Sequence, residues 1–589
     1  MCGICGQFGF GLHSELPNVT EWRPLIQMMS RRGPDDQGIW HDERCLMGFR
    51  RLAIIDLSPA ANQPFISPDE RYALVFNGEL YNFSELASEL THQVQFGTRG
   101  DAEVVLHSLM TWGAKALSRF NGMYALAFYD KVEQTLLLAR DHVGMKPLYF
   151  LSDATGVVFA SQYDQIARHR KARGRSFSIE DVATYLRIGY IPAPGALLQG
   201  TEMVEPGSWV SFSSAGKVTR GRVFEFQPES GPVLSGPDAD EAIADALGRS
   251  LRRHIVSDAP VGCFLSGGVD STLIASVWRK VDPDRVIPAF TIGRPDSAFD
   301  ESDEARTHAD AIGLQLHLEN LSDHEAESLI DDVFEASTEP LADPGIFPSL
   351  MVSRMAAKKV KVVLSGEGAD ELFWGYVGRQ CPFLKNVAYG NGDRSLQKYS
   401  SWLTDIRPEE FESCFPVMPF SPLGSQAADR ESYSDIARAA SEMRRYEIQT
   451  YLPFILLKTD RASMFHSLEV RLPFLDKEVI EVASRIRWDS CLDLDRGGGK
   501  QPLRKLLANS GIYPSLPKRG FGAPIDRWLR GCLSSRISDC LEGIEVLAGI
   551  PVNRKSITKL WSAFQSGQNP RGAVFWRLLL LCEWVRRNI

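Results

Sequence analysis

Phe264-Leu265-Ser266-Gly267-Gly268-Val269-Asp270-Ser271 ends an apolar run, turns on two glycines and opens a helical pattern. A strand, turn and helix in this order is the repeating unit of a parallel sheet covered by helices. The glycines let backbone N–H groups approach a phosphate, and the helix N-terminus adds partial positive charge, so the turn is a candidate anion site. Its spacing is neither Gly-x-x-x-x-Gly-Lys-Ser/Thr nor Gly-x-Gly-x-x-Gly, and a plain strand-to-helix turn is the other reading. Further along, Val363-Leu364-Ser365-Gly366-Glu367-Gly368-Ala369-Asp370-Glu371 repeats the arrangement with acidic residues. Two such turns on one parallel sheet can face a common site at the carboxyl ends of its strands. Asp270 and Asp370 are then candidate Mg²⁺ ligands, since hard cations take oxygen; the alternative for each is a solvated acidic turn. Gly497-Gly-Gly-Lys500-Gln lacks the hydroxyl residue and follows no strand, so it is not read as a phosphate loop.

Outward from these turns, apolar runs at 261–265, 286–292 and 360–364 alternate with helical segments, and from about Tyr433 the periodicity is almost wholly helical. An α/β domain with a helical C-terminal extension is expected. Toward the N-terminus the pattern changes. Up to about Phe212, β-branched and aromatic runs at 71–76, 124–129 and 136–140 are bounded by Asn77-Gly78 and Asn121-Gly122. Helical spacing interrupts them at 83–90 and 101–112. The first domain is therefore expected to be α+β with largely antiparallel sheets. Between Ser213 and Asp240 Ser, Gly, Pro and charges replace the periodicity, which places domains at 2–217 and 239–589 with a linker at 218–238.

With 589 residues, 44% hydrophobic and 24% charged, the chain can bury more than one core and falls in the soluble globular class. A net charge of -9 supplies no overall basic field for nucleic acid or an anionic membrane surface. The apolar stretch 573–585 is broken by Arg577 and Glu583 and is shorter than the ~20 residues of a bilayer span, so it reads as a buried helix. No basic and apolar leader precedes Cys2, and ten scattered cysteines make no disulfide framework, so a reducing cytoplasmic setting is expected.

Removal of Met1 would put a thiol and an α-amine on one residue, Cys2. An α-amine with a pKa of roughly 7.7–8.0 can act as that thiol's own base. Half a zinc site, a redox pair, or two ordinary cysteines are the other readings of Cys2-x-x-Cys5, though no second Cys-x-x-Cys follows. Arg31-Arg-Gly-Pro-Asp-Asp-Gln-Gly38, Arg51-Leu-Ala-Ile-Ile55, Asn62-Gln-Pro-Phe65, Asn77-Gly-Glu-Leu-Tyr-Asn82 and Asp101-Ala-Glu103 come next, in that order. Together they closely resemble class II glutamine amidotransferases over roughly the first two hundred residues. The resemblance implies an αββα Ntn-hydrolase fold in which Cys2 attacks the glutamine side-chain amide, forming a thioester and releasing ammonia. It assigns the oxyanion to the Asn77 amide and the Gly78 N–H; Asn-Gly alone also suits a hairpin. It gives Arg51 to the α-carboxylate, Asp101 and the Gly78-Glu79 backbone to the α-ammonium, and Leu52, Ala53, Ile54 and Ile55 to the pocket wall. Apart from it, Arg51 reads as a solvated arginine and Asp101 as a helix N-cap, a role compatible with binding.

Ser-Gly-Gly-Val-Asp-Ser resembles the loop of ATP pyrophosphatases. With Tyr451-Leu-Pro-Phe454, Asp460-Arg-Ala-Ser-Met464, Glu469-Val-Arg-Leu-Pro-Phe-Leu-Asp476 and Pro517-Lys-Arg-Gly-Phe521, the second half resembles the synthetase domain of asparagine synthetases. That likeness implies an ATP site formed by Leu265, Ser266, Gly267, Gly268, Asp270, Ser271, Ile292, Ser365 and Gly366, with Mg²⁺ on Asp270 and Asp370. It puts Glu367 beside an acyl-adenylate and Lys518 at the adenylated centre, where an exposed loop lysine is the plainer reading. The implied small-molecule partners are L-glutamine, ATP and L-aspartate, in a family that often forms homodimers. Some asparagine synthetases carry Thr-Thr-x-Arg before the second glycine turn, whereas this chain has Glu339-Pro-Leu-Ala-Asp-Pro-Gly-Ile346. A sugar acid, a peptide carboxylate or another metabolite therefore stays open as the acceptor, and a non-catalytic protein of this fold is the alternative of another class.

Overall fold

The computed structural model describes residues 2–11, 18–92, 94–229, 231–294, 300–390, 392–404, 406–418, 432–514 and 522–589. The strands of the first domain are β1 (Gly3–Gly9), β2 (Asp36–His41), β3 (Cys45–Arg51), β4 (Phe65–Ile66), β5 (Tyr72–Leu80) and β6 (Gly122–Asp130), then β7 (Thr135–Arg140), β8 (Tyr149–Asp153), β9 (Gly156–Ala160), β10 (Thr201–Met203), β11 (Ser208–Ser213) and β12 (Val218–Arg222). Among the described residues they form two six-stranded sheets, β10-β8-β9-β1-β3-β2 and β12-β11-β7-β6-β5-β4. All pairings are antiparallel.

Alternation along the strands sorts side chains between layers. Ile4, Phe8, Met47 and Phe49 meet Val75, Ala127, Leu136 and Leu138 between the two sheets. Behind the second sheet, Leu74, Phe76 and Leu126 pack on Leu86, Val105 and Leu109 of the helices Phe83–Leu90 and Asp101–Trp112. Behind the first, Cys5 and Leu46 join Trp22, Leu25 and Ile26 of the helix Val19–Gln27. The result is an αββα sandwich, the layering that the resemblance implies, and each large buried side chain adds about 1.5–3 kcal/mol to it. Asn77-Gly78 lies inside β5, opposite Ala125 and Tyr124 of β6, and not in a hairpin turn. A Cβ at Gly78 would stand 2.1 Å from the Met123 carbonyl oxygen, so this register needs glycine. β12 edges the second sheet within the stretch read as linker, and the helix Gly236–His254 begins before that stretch ends.

The second domain carries β13 (Val261–Phe264), β14 (Pro288–Gly293), β15 (Gln315–Asn320), β16 (Val362–Leu364) and β17 (Glu469–Arg471) in the order β15-β14-β13-β16-β17. Every pairing is parallel. β17 interrupts the region read as helical. Its flanking side chains, Glu469 and Arg471, are charged yet fully buried, so no apolar run marks it. The helices Gly236–His254, Val269–Val281 and Ile346–Ala357 cover the sheet through Leu247, Ile274 and Leu350. The apolar stretch near the C-terminus is the helix Ala573–Asn588, buried through Phe575, Leu578 and Leu579. Among the described residues no helix is long and apolar enough to cross a membrane. One apolar core continues from Trp22 and Tyr185 in the first domain to Trp278 and Leu364 in the second. Polar contacts fix the junction: Arg32 to Asp460 at 2.7 Å, Asn121 to Asp476 at 3.0 Å and the Asp56 N–H to Asp258 at 2.8 Å.

Candidate active sites

Cys2 opens onto a cavity also lined by Arg51, Leu52, Ile54, Ile55, Gly78, Glu79 and Asp101. Ala53 is turned to other use, its N–H donating to Asp35 Oδ2 at 2.7 Å. The Cys2 N–H donates to Asn77 Oδ1 at 3.0 Å. That bond orients the amide, and the Asn77 Nδ2 at its other end is buried without a hydrogen-bond partner. Leaving a buried donor unpaired costs about 1–3 kcal/mol, so such a group calls for an explanation, and a ligand oxygen supplies one. Burial pushes the Cys2 thiol up, which keeps it protonated at neutral pH and makes a base necessary for attack.

Arg51 is no solvated arginine. Its guanidinium donates to Ser58 O at 2.8 Å, to Asn62 Oδ1 at 2.6 Å and to Asp56 O. Asp101 is the first helical residue and Gly100 the N-cap, so the capping reading of Asp101 fails. Its Oδ2 accepts the Leu80 N–H at 2.8 Å instead, tying the helix to β5. Burial raises the Asp101 carboxyl to about 6, against the pull of that N–H, and the charge of Glu469 adds to the rise. Cys2 faces the core between the sheets and Cys5 the core behind the first sheet, as residues three apart on a strand must. The two thiols thus lie in different cores and do not face each other as a redox pair would, and among the described residues no group of three or more His, Cys, Asp or Glu side chains could hold a metal ion.

A second cavity lies at the carboxyl ends of β13, β14 and β16. Leu265, Ser266, Asp270, Ser271, Ile292, Ser365 and Gly366 line it, together with Glu367 and Asp370. Gly267 and Gly268 shape the turn: Gly267 has a φ of 75°, and Gly268 caps the helix Val269–Val281. The two glycine turns touch, since a Cβ at Gly366 would stand 2.7 Å from the Asp270 Cβ. Lys500 Nζ sits 2.6 Å from Asp270 Oδ2 and 2.6 Å from Asp370 Oδ1. The Gly497-Gly-Gly-Lys500 stretch is thus part of the site after all. A Cβ at Gly499 would stand 2.1 Å from the Trp374 carbonyl, so the residue just before the lysine passes where no side chain fits.

Glu367 Oε1 accepts the Thr459 hydroxyl at 2.6 Å. Lys458 Nζ lies 3.7 Å from Glu367 and 3.7 Å from Asp343. Sequence reasoning did not anticipate Lys458, Thr459 or Lys500. A charge inside the apolar run Leu452-Pro-Phe-Ile-Leu-Leu-Lys458 was the signal available for the first. One residue past Thr459 on the same helix, Asp460 pairs with Arg32, whose Nε donates to the Cys2 carbonyl at 3.2 Å. Lys518 and its motif at 517–521 lie outside the described residues.

The asparagine synthase family description matches residues 242–586, and a glutamine amidotransferase domain matches residues 1–222. Asparagine synthetase (glutamine-hydrolyzing) 1 of Bacillus subtilis is 31% identical, with 100% of this chain and 97% of that one aligned. A putative asparagine synthetase (glutamine-hydrolyzing) of Mycobacterium tuberculosis is 33% identical over 95% of this chain and 92% of its own. Amidase chry2 of Gibberella zeae is 24% identical over 92% and 91%. Two glycine turns meeting at one cavity, a cysteine at position 2 beside an orphaned amide, and relatives aligned over nearly their whole length agree: the chain belongs to the asparagine synthase family and carries a glutamine amidotransferase domain at its N-terminus.

Proposed function

We propose that the protein amidates L-aspartate to L-asparagine, using ATP to activate the carboxylate and glutamine as the nitrogen source. With Met1 removed, the Cys2 α-amine takes the thiol proton as sulfur attacks the glutamine amide carbon. The developing oxyanion takes hydrogen bonds from Asn77 Nδ2 and the Gly78 N–H, and ammonia leaves with a proton. Water then opens the thioester to glutamate. The observation that carries this half is the buried, unpartnered Asn77 Nδ2 beside Cys2.

In the second cavity, an acceptor carboxylate oxygen displaces pyrophosphate from the α-phosphorus of ATP, and ammonia then displaces AMP from the acyl carbon. Activation is required because a carboxylate repels nucleophiles and oxide is a poor leaving group. Leu265, Ile292, Ser365 and Gly366 are placed to hold adenosine, and the turn at Ser266 to Ser271 to hold phosphates. Asp270 and Asp370 fit Mg²⁺, as two hard carboxylates from separate loops already converge on one cation, the Lys500 ammonium. When bound, the metal would offset the charge of the triphosphate. Glu367, oriented by Thr459 and beside Lys458, is placed to take a proton from the attacking amine. Ammonia set free in water would be protonated and lost as a nucleophile, so a protected passage between the cavities is part of the proposal.

The acceptor is the part that needs its own support. Glu339, in the segment that departs from Thr-Thr-x-Arg, is tied up in a buried ion pair with Arg461 at 2.8 Å, and only Asp343 reaches the cavity group, through Lys458. A full-length relative under an amidase name shows that the architecture carries more than one name, which keeps another carboxylate as the second reading. Aspartate-dependent pyrophosphate release with MgATP and glutamine, alongside mass detection of asparagine, tests the assignment. Equal amounts of both products support it; glutaminase activity without aspartate-dependent pyrophosphate would transfer the mechanism to a different acid.

A further inference from the structure

Arg471 of β17 touches both sites. Its carbonyl accepts the Ser365 N–H at 2.9 Å, which fixes the turn lining the nucleotide cavity. Its guanidinium points the other way, into the first domain. Nη2 stands 2.9 Å from Glu79 Oε2 in the glutamine cavity, and Nε donates to Glu469 Oε1 at 2.6 Å. Nη1 donates to His254 O at 2.8 Å and Val256 O at 2.6 Å, so the fork is held from behind. Glu469 and Arg471, two apart on one strand, share a face, and Glu469 itself lines the glutamine cavity although it belongs to the second domain's sheet.

The cluster is fully desolvated: Arg471 and Glu469 are 0% exposed and Glu79 is 5% exposed. Buried ion clusters of this kind are weak stabilisers, since well-packed apolar residues of similar volume serve stability as well or better. Its geometry points to a different use. Three carboxylates, Glu79, Asp101 and Glu469, line one cavity with Arg51, and Arg471 stands behind them, paired with Glu79 and Glu469. Glutamine brings an α-ammonium to Asp101 and the Glu79 backbone, where it offers the carboxylates a second cation and changes what Arg471 gains from Glu79. A ligand shifts a distant site only through such differential contacts.

We infer that Arg471 is a positioning residue that couples the two sites, its side chain responding to glutamine and its carbonyl setting the Ser365 turn. The inference rests on the two-site reading above. The test uses full-length Cys2→Ala protein, which binds glutamine without consuming it. MgATP is titrated calorimetrically with and without saturating L-glutamine. The expected result is a change in the ATP dissociation constant of at least about fivefold, the lower end of ordinary coupling. Adding Arg471→Met, or the milder Glu79→Gln, reduces the change to under about twofold, whereas Arg249→Met at the exposed Arg249–Glu478 pair leaves it intact. ATP affinity indifferent to glutamine overturns the inference, as does a coupling that survives both cluster substitutions. If Arg471→Met fails to fold, Glu79→Gln decides alone. Protein that binds neither ligand would instead defeat the two-site reading itself.

Discussion

The two cavities are built from opposite kinds of group. In the glutamine cavity a neutral amide donor, Asn77 Nδ2, stays buried and unpartnered, locked in place by the Cys2 N–H bond at its other end. In the nucleotide cavity the converging charges of Asp270 and Asp370 are covered by an ammonium lent from a loop far along the chain. The difference follows from cost. An unpaired buried amide forfeits about 1–3 kcal/mol, a sum a folded domain can carry at one position. Two carboxylates left together without a cation cost more, because each disfavours the other's ionisation. A site built from dipoles can stand ready, whereas a site built from like charges needs a stand-in cation.

The largest expected break comes at Cys2. Cys2→Ala should lower glutaminase turnover by about 10⁴-fold or more while leaving ammonia-driven pyrophosphate release within twofold of wild type. Loss of both activities together would show that the cavities are not separable. Asn77→Ala sharpens the dipole half of the comparison. Removing one oxyanion donor costs about 10²–10³-fold in kcat, with the KM for glutamine little changed. A fall in affinity instead would make Asn77 a ground-state contact. Lys500→Met addresses the charged half. Breaking a buried pair on one side destabilises by roughly 3–5 kcal/mol, and millimolar Mg²⁺ should return part of it by supplying the missing cation. Urea unfolding with and without Mg²⁺ reads this directly, and an unchanged midpoint in metal-free buffer would remove the stand-in role.

The same contrast explains what the sequence made legible. Cys2 stands just before a strand, Asn77 and Gly78 lie within one and Asp101 opens a helix, all with plain local patterns, and the structure brings them to one cavity with the predicted run at Arg51. Both glycine turns were readable for a similar reason, as each follows its own strand. Asn77-Gly78 misleads when taken alone, because the dipeptide that favours a hairpin sits here inside a nine-residue strand where only glycine clears the Met123 carbonyl. Lys500 and Arg471 were not legible as site residues. Each works through partners hundreds of residues away, and a lysine after three glycines resembles a phosphate loop only enough to be dismissed. β17 was hidden because its flanking side chains serve the domain junction and carry charge where a buried parallel strand ordinarily shows apolar residues.

The smallest effect is also the most specific to the glutamine cavity. Asp101 has its carboxyl raised to about 6 by burial, with Glu469 nearby adding to the rise. A raised carboxyl is neutral below that value, so the α-ammonium of glutamine loses its anionic partner as pH falls. The KM for glutamine should therefore climb about tenfold per unit once pH drops below about 6, while kcat for ammonia-driven synthesis follows a different profile. The sign for stability runs the other way. The folded state binds the Asp101 proton more tightly than the unfolded chain does, so this contribution is present in acid and is lost as pH rises through about 6. Bound glutamine supplies the ammonium that makes ionised Asp101 favourable, so the thermal stabilisation by glutamine in Cys2→Ala protein should grow as pH rises from 5 to 7. Asp101→Asn should flatten both curves and hold the KM near the raised acid value across the whole range; a curve that keeps its bend near pH 6 in that variant would take the titration away from Asp101.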